Sequence, residues 1–400
     1  MYIFDQTILD SKSLNHIDIS NKNVLIRSCL NVTMDSGGKI TDDTRLNESL
    51  PTLEMLGQKA KRVIIMAHLG RPTKAHEPEF SLEPVRQTLE KKLSQKVIML
   101  SDEAALSRLS NVAEQEAVFY LIENIRYFEG EETKDEVKKA NFAQQLSALG
   151  EIFINDAFAD YREAVSTYEI AKLIPSYAGP VFLKEVKAIS YFTSPQKPFL
   201  AVLGGAKLSE KLDAMLALCQ LADQVIVGGA MAYTIMQSMG IKVGKSLVEH
   251  DKLDVAAQIV TEFSSKLVLP IDHIVAPELS PETITNVTGD GNIPDDLVAI
   301  DIGPRTQEAF TNVISVAKSI LWNGPMGVFE WENGITGTQK IATAIINNNQ
   351  SYKFAGGGDT IAVINKLKLT GFNHISTGGG AMLAYIAYDK FLTLDVILNS

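Results

Sequence analysis

Two cysteines in 400 residues, Cys29 and Cys219, are too few for a disulfide framework, and neither lies in a CxxC or Cys/His pattern with metal-ligand spacing. That excludes a disulfide-stapled scaffold and fits a reducing cytoplasm. Long apolar runs are missing as well. Nowhere do about eighteen apolar residues follow one another, so no membrane-spanning helix is expected. The start "MYIFDQTILDSKSL" lacks the basic flank and apolar stretch of a signal peptide. Positive charge is in deficit: 37 Lys and Arg against 48 Asp and Glu leave a net charge of −11, and no basic run interleaved with aromatics offsets it. A broad electrostatic footprint on nucleic acid or anionic lipid is thereby excluded, and any anionic ligand must be held by local clusters. Both standard nucleotide fingerprints are absent. No GxGxxG occurs, which argues against a dinucleotide-dependent dehydrogenase, and "GIKVGKS" (240 to 246) has one residue too few for a P-loop.

What is present is an ordinary globular composition, 46% hydrophobic and 21% charged, in a chain long enough for two cores. Short β-branched runs alternate with amphipathic segments of helical length, which places the chain in the α/β class with mostly parallel sheets. In the first half the expected strands are "NVLIR", "RVIIMAH", "VFYLIEN" and "EIFIND", and each runs into polar or basic residues. In the second half "FLAVLGGAK", "QVIVGGAMA", "SILWNGPMG", "YKFAGGGDT" and "HISTGGGAM" run into glycine instead. Ligands of open α/β sheets sit beyond the carboxyl ends of the strands, so the halves present different chemistry at equivalent places. Between them, "SYAGPVFLKEVKAISYFTSPQKP" reads as a connector built around one helix, with a boundary near residue 180.

A glycine-rich turn entering a helix lets backbone N–H groups approach a phosphate at the positive end of the helix dipole. One such turn is equally well explained by tight helix packing. Turns at Gly204, Gly228, Gly356 and Gly378, two of them with triple glycines, are more than packing needs. Asp359, after "GGG", suits a magnesium-side carboxylate, and also suits a helix N-cap. Lys207 and Lys211, four apart in "GGAKLSEK", are expected to share a face at the start of a helix, where only an anion would offset their repulsion from the dipole.

The other half supplies cations: Arg45, His68, Arg71, Arg126 and Arg162 follow separate strands or their loops. Each taken alone reads as a surface salt bridge or a structural histidine; converging, they make a small-anion pocket. No general base stands out. Transfer of phosphate to a carboxylate removes no proton, so the pattern suits an acyl-phosphate kinase.

These stretches, together with "GKITDDTRLNESLPTL", "AHLGRP", "LIENIRY", "NDAF", "VGKSLVE", "DIGP" and "LWNGPMGVFEWE", resemble the phosphoglycerate kinase family in order and over almost the whole chain. The resemblance implies two Rossmann-like domains, 1–178 for 3-phosphoglycerate and 179–385 for MgATP or MgADP, joined by a hinge helix around a cleft, with a tail of about 386–400 packed on the first. It implies that Asn31, Arg45, His68, Leu69, Gly70, Arg71, Arg126 and Arg162 bind phosphoglycerate. Gly205, Lys207, Lys211, Gly229, Glu330, Gly357, Gly358, Asp359, Thr360, Gly378 and Gly379 would hold nucleotide, with Asp359 on Mg2+ and Arg45, Lys207 and Lys211 on the group in flight. A cytoplasmic monomer is implied, acting on small molecules without nucleic acid or membrane.

Three stretches depart from the family pattern. "RSCLNVT" stands where Arg-x-Asp-x-Asn-x-Pro is usual, so Cys29 replaces an acid expected to bond the substrate hydroxyl. On that reading Cys29→Asp lowers KM for phosphoglycerate. "NDAFADYREAVS" is one residue shorter than the usual stretch and lacks its glycine and histidine, and the end lacks the usual acids and proline. These departures motivate a second reading, a weakly active or non-catalytic relative that binds nucleotide or anion.

Overall fold

The computed structural model describes residues 5–35, 37–74, 76–111, 117–388 and 390–400; residues 1–4, on which part of the amino-terminal reading rests, lie outside them. Two compact units emerge, Ile3–Lys187 with Lys390–Ser400, and Ala188–Asp389. The division falls within the helix Pro180–Ser190 rather than ahead of it.

The first unit is built on a six-stranded parallel sheet of β1 (Asn23–Arg27), β2 (Arg62–Met66), β3 (Val97–Leu100), β4 (Phe119–Ile122), β5 (Ile152–Asn155) and β6 (Ser176–Ala178), in the order β3-β4-β2-β1-β5-β6. Helices cover both faces of such a sheet, so its strands are continuous apolar runs rather than alternating ones. Val24, Leu25 and Ile26 are all fully buried, and Leu25 sits in register between Ile64 and Phe153. Leu46, Leu53 and Leu56, on one side of the helix Thr44–Lys59, join the same core.

The second unit repeats the scheme with β7 (Phe199–Leu203), β8 (Gln224–Val227), β9 (Leu267–Val268), β10 (Ser319–Asn323), β11 (Tyr352–Gly356) and β12 (His374–Ser376), ordered β9-β8-β7-β10-β11-β12. Phe310 and Ile314 on the helix Pro304–Val316, with Ile341 and Ile345 on Thr336–Asn347, pack against it. A small antiparallel sheet of His273–Ala276, Asn286–Val287 and Val298–Ile302 belongs to this unit too.

Every strand expected from the sequence forms. β3, β6 and β9 were not expected, and "SYA", read as connector, is the edge strand β6. Three residues between a proline and a glycine carry too little periodicity to be read as a strand; pairing with β5 makes them one. No helix among the described residues is long and apolar enough to cross a membrane.

Strand order locates the ligand positions. The chain builds outward from β1 on one side and resumes at β5 on the other; likewise from β7, then at β10. The carboxyl ends of β1 and β5, and of β7 and β10, are therefore the two switch points where a crevice opens.

Candidate functional site

At the first switch point β1 ends in Arg27, which is almost fully buried. Its guanidinium fork is used on every side. Nε donates to Ser166 Oγ at 3.0 Å, Nη1 to Ser28 O at 3.1 Å, and Nη2 lies 3.1 Å from both His68 Nδ1 and Asp160 Oδ2. Ser166 in turn donates from its hydroxyl and its N–H to the carboxylate of Glu131, at 2.5 and 3.0 Å. Burial pushes Glu131 up to about 7, against the pull of Arg27.

Asp160 follows β5. Burial alone would raise its pKa, but Arg27 and then His68 and Arg126 reverse that and hold it well below the usual carboxylate range. The His68 pKa is lowered as well, by burial and against the pull of Asp160, which favours the neutral ring. Its Nδ1 lies 3.2 Å from Asp160 Oδ1 as well as 3.1 Å from Arg27. A neutral imidazole nitrogen either accepts or donates, so only one of these contacts is a full hydrogen bond.

Beside this pair, Asn31 accepts the Gly70 N–H at its Oδ1 (3.1 Å), while Arg45, in the first turn of its helix, donates to Asn31 O (3.4 Å). Arg126 donates to Gly70 O at 2.6 Å and to Glu132 at 2.9 Å. Leu69 is buried and its carbonyl accepts from Asn124 (2.7 Å). Asn31, Arg45, Gly70 and Arg126 are thus linked by hydrogen bonds, Leu69 joins them through Asn124, and His68 belongs to the Arg27–Asp160 cluster. Arg71 and Arg162 are exposed, and their side chains stand apart from this network.

The second switch point is a cavity of about 260 Å³ whose walls include Gly205, Gly229, Tyr233, Met326, Glu330 and Asp359. Gly229 has φ +65°, and a Cβ there would come within 2.5 Å of the Gly205 N and O atoms. Main chain lies directly on main chain. Met231 N–H donates to Gly205 O at 3.1 Å and Gly229 N–H to Met326 O at 3.0 Å, which locks the two turns together.

Lys211 reaches the end of β10, where Nζ donates to Asn323 O at 3.1 Å and also to its side-chain oxygen. Burial lowers its pKa to about 8, with Asp359 and Glu210 opposing the shift. Asn323 donates onward to Gly356 O (2.6 Å), and the buried Thr360 hydroxyl accepts the Gly324 N–H (2.7 Å). Thr360 therefore joins turns and does not line the cavity.

Two local expectations are corrected. Lys207 and Lys211 do not share a helix face, because the helix begins only at Leu212; Lys211 is its cap, and Lys207 is half exposed in the preceding turn. Nor is Asp359 an N-cap. Gly357, at φ +103°, takes that place, and Asp359 lies in the first turn of the helix Gly358–Leu367. A Cβ on Gly357 would fall 2.5 Å from Asn323 Nδ2, so the residue without a side chain caps and the acid moves inward. Gly358 has open space above it, as does Gly379 at the start of the helix Gly380–Ala387, whereas Gly378 is buried and donates to Ser376 Oγ. Neither Gly378 nor Gly379 lines the cavity.

Among the described residues no group of three or more His, Cys, Asp or Glu could hold a metal. A lone Asp359 fits Mg2+ whose other ligands are phosphate oxygens and water, not a protein-caged ion. Sequence reasoning missed Arg27, Asp160, Glu131, Ser166 and Asn323. A polar residue at a strand end marked Arg27; Asn323 was passed over because its strand was read as running into glycine, and Asp160, Glu131 and Ser166 carry no local signal, since their meeting depends on loop conformation.

The phosphoglycerate kinase family model matches residues 14–388. A phosphoglycerate kinase of Mycobacterium sp. (strain KMS) is 40% identical over 392 residues, covering 95% of this chain and 96% of the relative. The structure of phosphoglycerate kinase from Coxiella burnetii superposes with a TM-score of 0.84 at 36% identity, over 97% of this chain and 98% of that one. That from Pyrococcus horikoshii OT3 gives 0.85 at 29% identity, over 96% and 98%. With a match of that length and identity, the chain belongs to the phosphoglycerate kinase family.

Proposed function

We propose that the chain catalyses reversible phosphoryl transfer between ATP and the carboxylate of 3-phosphoglycerate, giving ADP and 1,3-bisphosphoglycerate. The observation that carries this reading is the family match along nearly the entire chain, and it favours an active kinase over a non-catalytic relative.

Asn31, Arg45, His68 and Arg126, with the Leu69–Gly70 backbone, bind the phosphoglycerate, and Arg71 and Arg162 reach it from more exposed positions. Arg guanidinium suits both anionic ends of that substrate because it is planar, always charged and bidentate. Gly205, Gly229, Gly357 and Gly358 present main-chain N–H groups to nucleotide phosphates, with Gly378 and Gly379 alongside, and Glu330 reaches the ribose. Thr360 supports this site through Gly324. Lys207 and Lys211 neutralise the transferring group from the nucleotide side and Arg45 from the other.

The acceptor is a carboxylate, so no base has to remove a proton, and catalysis consists of positioning and charge stabilisation. Mg2+, held by nucleotide phosphates and Asp359, supplies charge neutralisation of those phosphates. Transfer further requires the two units to close on their substrates and exclude water, which would otherwise hydrolyse the acyl phosphate. The reading carries with it a monomeric, cytoplasmic enzyme. A coupled assay with purified protein, Mg2+, ATP and 3-phosphoglycerate tests it: saturable turnover is expected, and none above background at saturating substrate overturns it.

A further inference from the structure

Resting on that kinase reading, we propose that Asp160 is the carboxylate that accepts the hydroxyl of phosphoglycerate in this chain, in place of the acid that Cys29 displaces. Two departures from the family pattern, the cysteine and the shortened loop, then become one rearrangement.

Cys29 cannot serve as an anion. It is buried, and burial and the neighbouring Asp160 charge push its thiol up to about 12. Asp160 is brought to the end of β1 by its 3.1 Å ion pair with Arg27, two residues before Cys29, and its charge is among those that act on the Cys29 thiol. The carboxylate absent from the end of β1 is thus supplied from the end of β5, across the same switch point.

Asp160 retains capacity to accept. Its side chain is about one-tenth exposed, at 11%. Oδ2 faces Arg27 at 3.1 Å without an aligned hydrogen bond, and Oδ1 competes with Arg27 for His68 Nδ1. The carboxylate is ion-paired with Arg27, yet Oδ2 accepts no aligned hydrogen bond, so it has a lone pair to offer a further donor. A substrate hydroxyl is such a donor.

The loop is also held rigidly enough to aim the group. Phe158 is buried and stacks on Phe391 at 5.2 Å between centroids, and Tyr161 stacks on the same ring at 6.0 Å. Asp160 lies between two residues clamped by the carboxyl-terminal segment, which belongs to this unit.

The sequence-based expectation for Cys29→Asp therefore changes sign. An acid at 29 would crowd a second carboxylate against Asp160, raising the pKa of one of them and weakening phosphoglycerate binding. Asp160→Asn should raise KM and Kd for 3-phosphoglycerate by about tenfold or more, as expected for loss of a charged acceptor, while KM for ATP stays put. Cys29→Asp/Asp160→Asn should recover most of that loss.

The decisive readout uses the analogue without the hydroxyl, 3-phosphonooxypropionate, compared with 3-phosphoglycerate by calorimetry on the full chain. Wild type should prefer the hydroxylated ligand by roughly tenfold, Asp160→Asn should show little preference, and the double variant should regain it. An equal preference in wild type and Asp160→Asn overturns the role of Asp160. Should Asp160→Asn fail to fold, the double variant and Cys29→Asp carry the comparison: tighter phosphoglycerate binding by Cys29→Asp than by wild type overturns the proposal. Wild-type turnover is measured separately, so failure of the kinase reading and failure of this assignment give different results.

Discussion

The two sheets place a ligand site at the same topological position and fill it with opposite materials. At the β1/β5 switch point the walls are side chains: Arg27, His68 and Asp160 in mutual contact, with Asn31, Arg45 and Arg126 beside them. At the β7/β10 switch point the glycine turns meet main chain on main chain, Gly205 against Gly229, with Tyr233, Met326, Glu330 and Asp359 around the cavity and Lys211 as a partly buried cation. A site made of side chains can move a charge from one loop to another, as the pairing of Cys29 with Asp160 illustrates. A site made of bare main chain has no such freedom, because its geometry is set by backbone contacts that leave no room for a methyl group.

The comparison breaks most visibly if the halves do not each govern their own substrate. Lys211→Ala removes a charge from the nucleotide half and is expected to lower kcat by about a hundredfold to a thousandfold, the usual scale for losing one preorganised stabiliser, with KM for phosphoglycerate unchanged. Arg45→Ala should show the crossed pattern, a similar fall in kcat with a raised KM for phosphoglycerate and an unchanged KM for ATP. Steady-state kinetics with each substrate varied in turn decides. If either substitution raises both KM values alike, the division of labour is wrong.

A smaller effect sharpens the contrast within the backbone half. Gly229→Ala places a methyl group at positive φ against Gly205 and should destabilise the protein by about 2 kcal/mol or more, with weakened ATP binding. Gly358→Ala, at the helix start but with open space above it, should change stability by no more than about 0.5 kcal/mol. Thermal unfolding and ATP titration of both variants test this. If Gly358→Ala is nevertheless as damaging to ATP binding as Gly229→Ala, the open space is where the phosphates lie.

The same contrast explains what could be read from the sequence. The glycine-ended strands β7, β8, β10, β11 and β12 announce themselves because a backbone site needs a specific residue at a specific place. Asn31, His68, Leu69, Gly70 and Arg126 could be picked out because each follows a strand of the first sheet, and Arg45 because it follows an acidic turn into a helix. Arg27 was visible as a polar strand end, yet its central role was not, since buried arginines are rare and nothing local marks which one is satisfied internally. Asp160 was least legible. It meets Arg27 and His68 only because the loop from Asp156 folds back to them, with Phe158 and Tyr161 seated on Phe391. Lys207 was misplaced for the converse reason: helical spacing was assumed through a turn that is not helical.

Lys211 also gives the two halves different responses to pH. Its pKa of about 8 in the free protein means the side chain is charged below that pH and loses its proton above it. Loss of the proton removes the attraction for phosphate, so kcat/KM for ATP should fall as pH rises through about 8, approaching tenfold per unit. Bound phosphate favours the charged form and raises the pKa, so the corresponding limb in kcat should move to higher pH. Tyr233, on the cavity wall, does not confuse the window, because burial pushes its phenol well above it. In the other half His68 is held neutral by burial and Asp160 stays ionised, while Glu131, at about 7 behind Ser166 and Arg27, titrates below this window, so phosphoglycerate binding should not share the limb near pH 8. Lys211→Arg keeps its charge throughout and should lose the alkaline fall in kcat/KM for ATP. A limb near pH 8 that survives Lys211→Arg belongs to some other group, and Lys211 would then not be what the backbone half relies on to hold its anion.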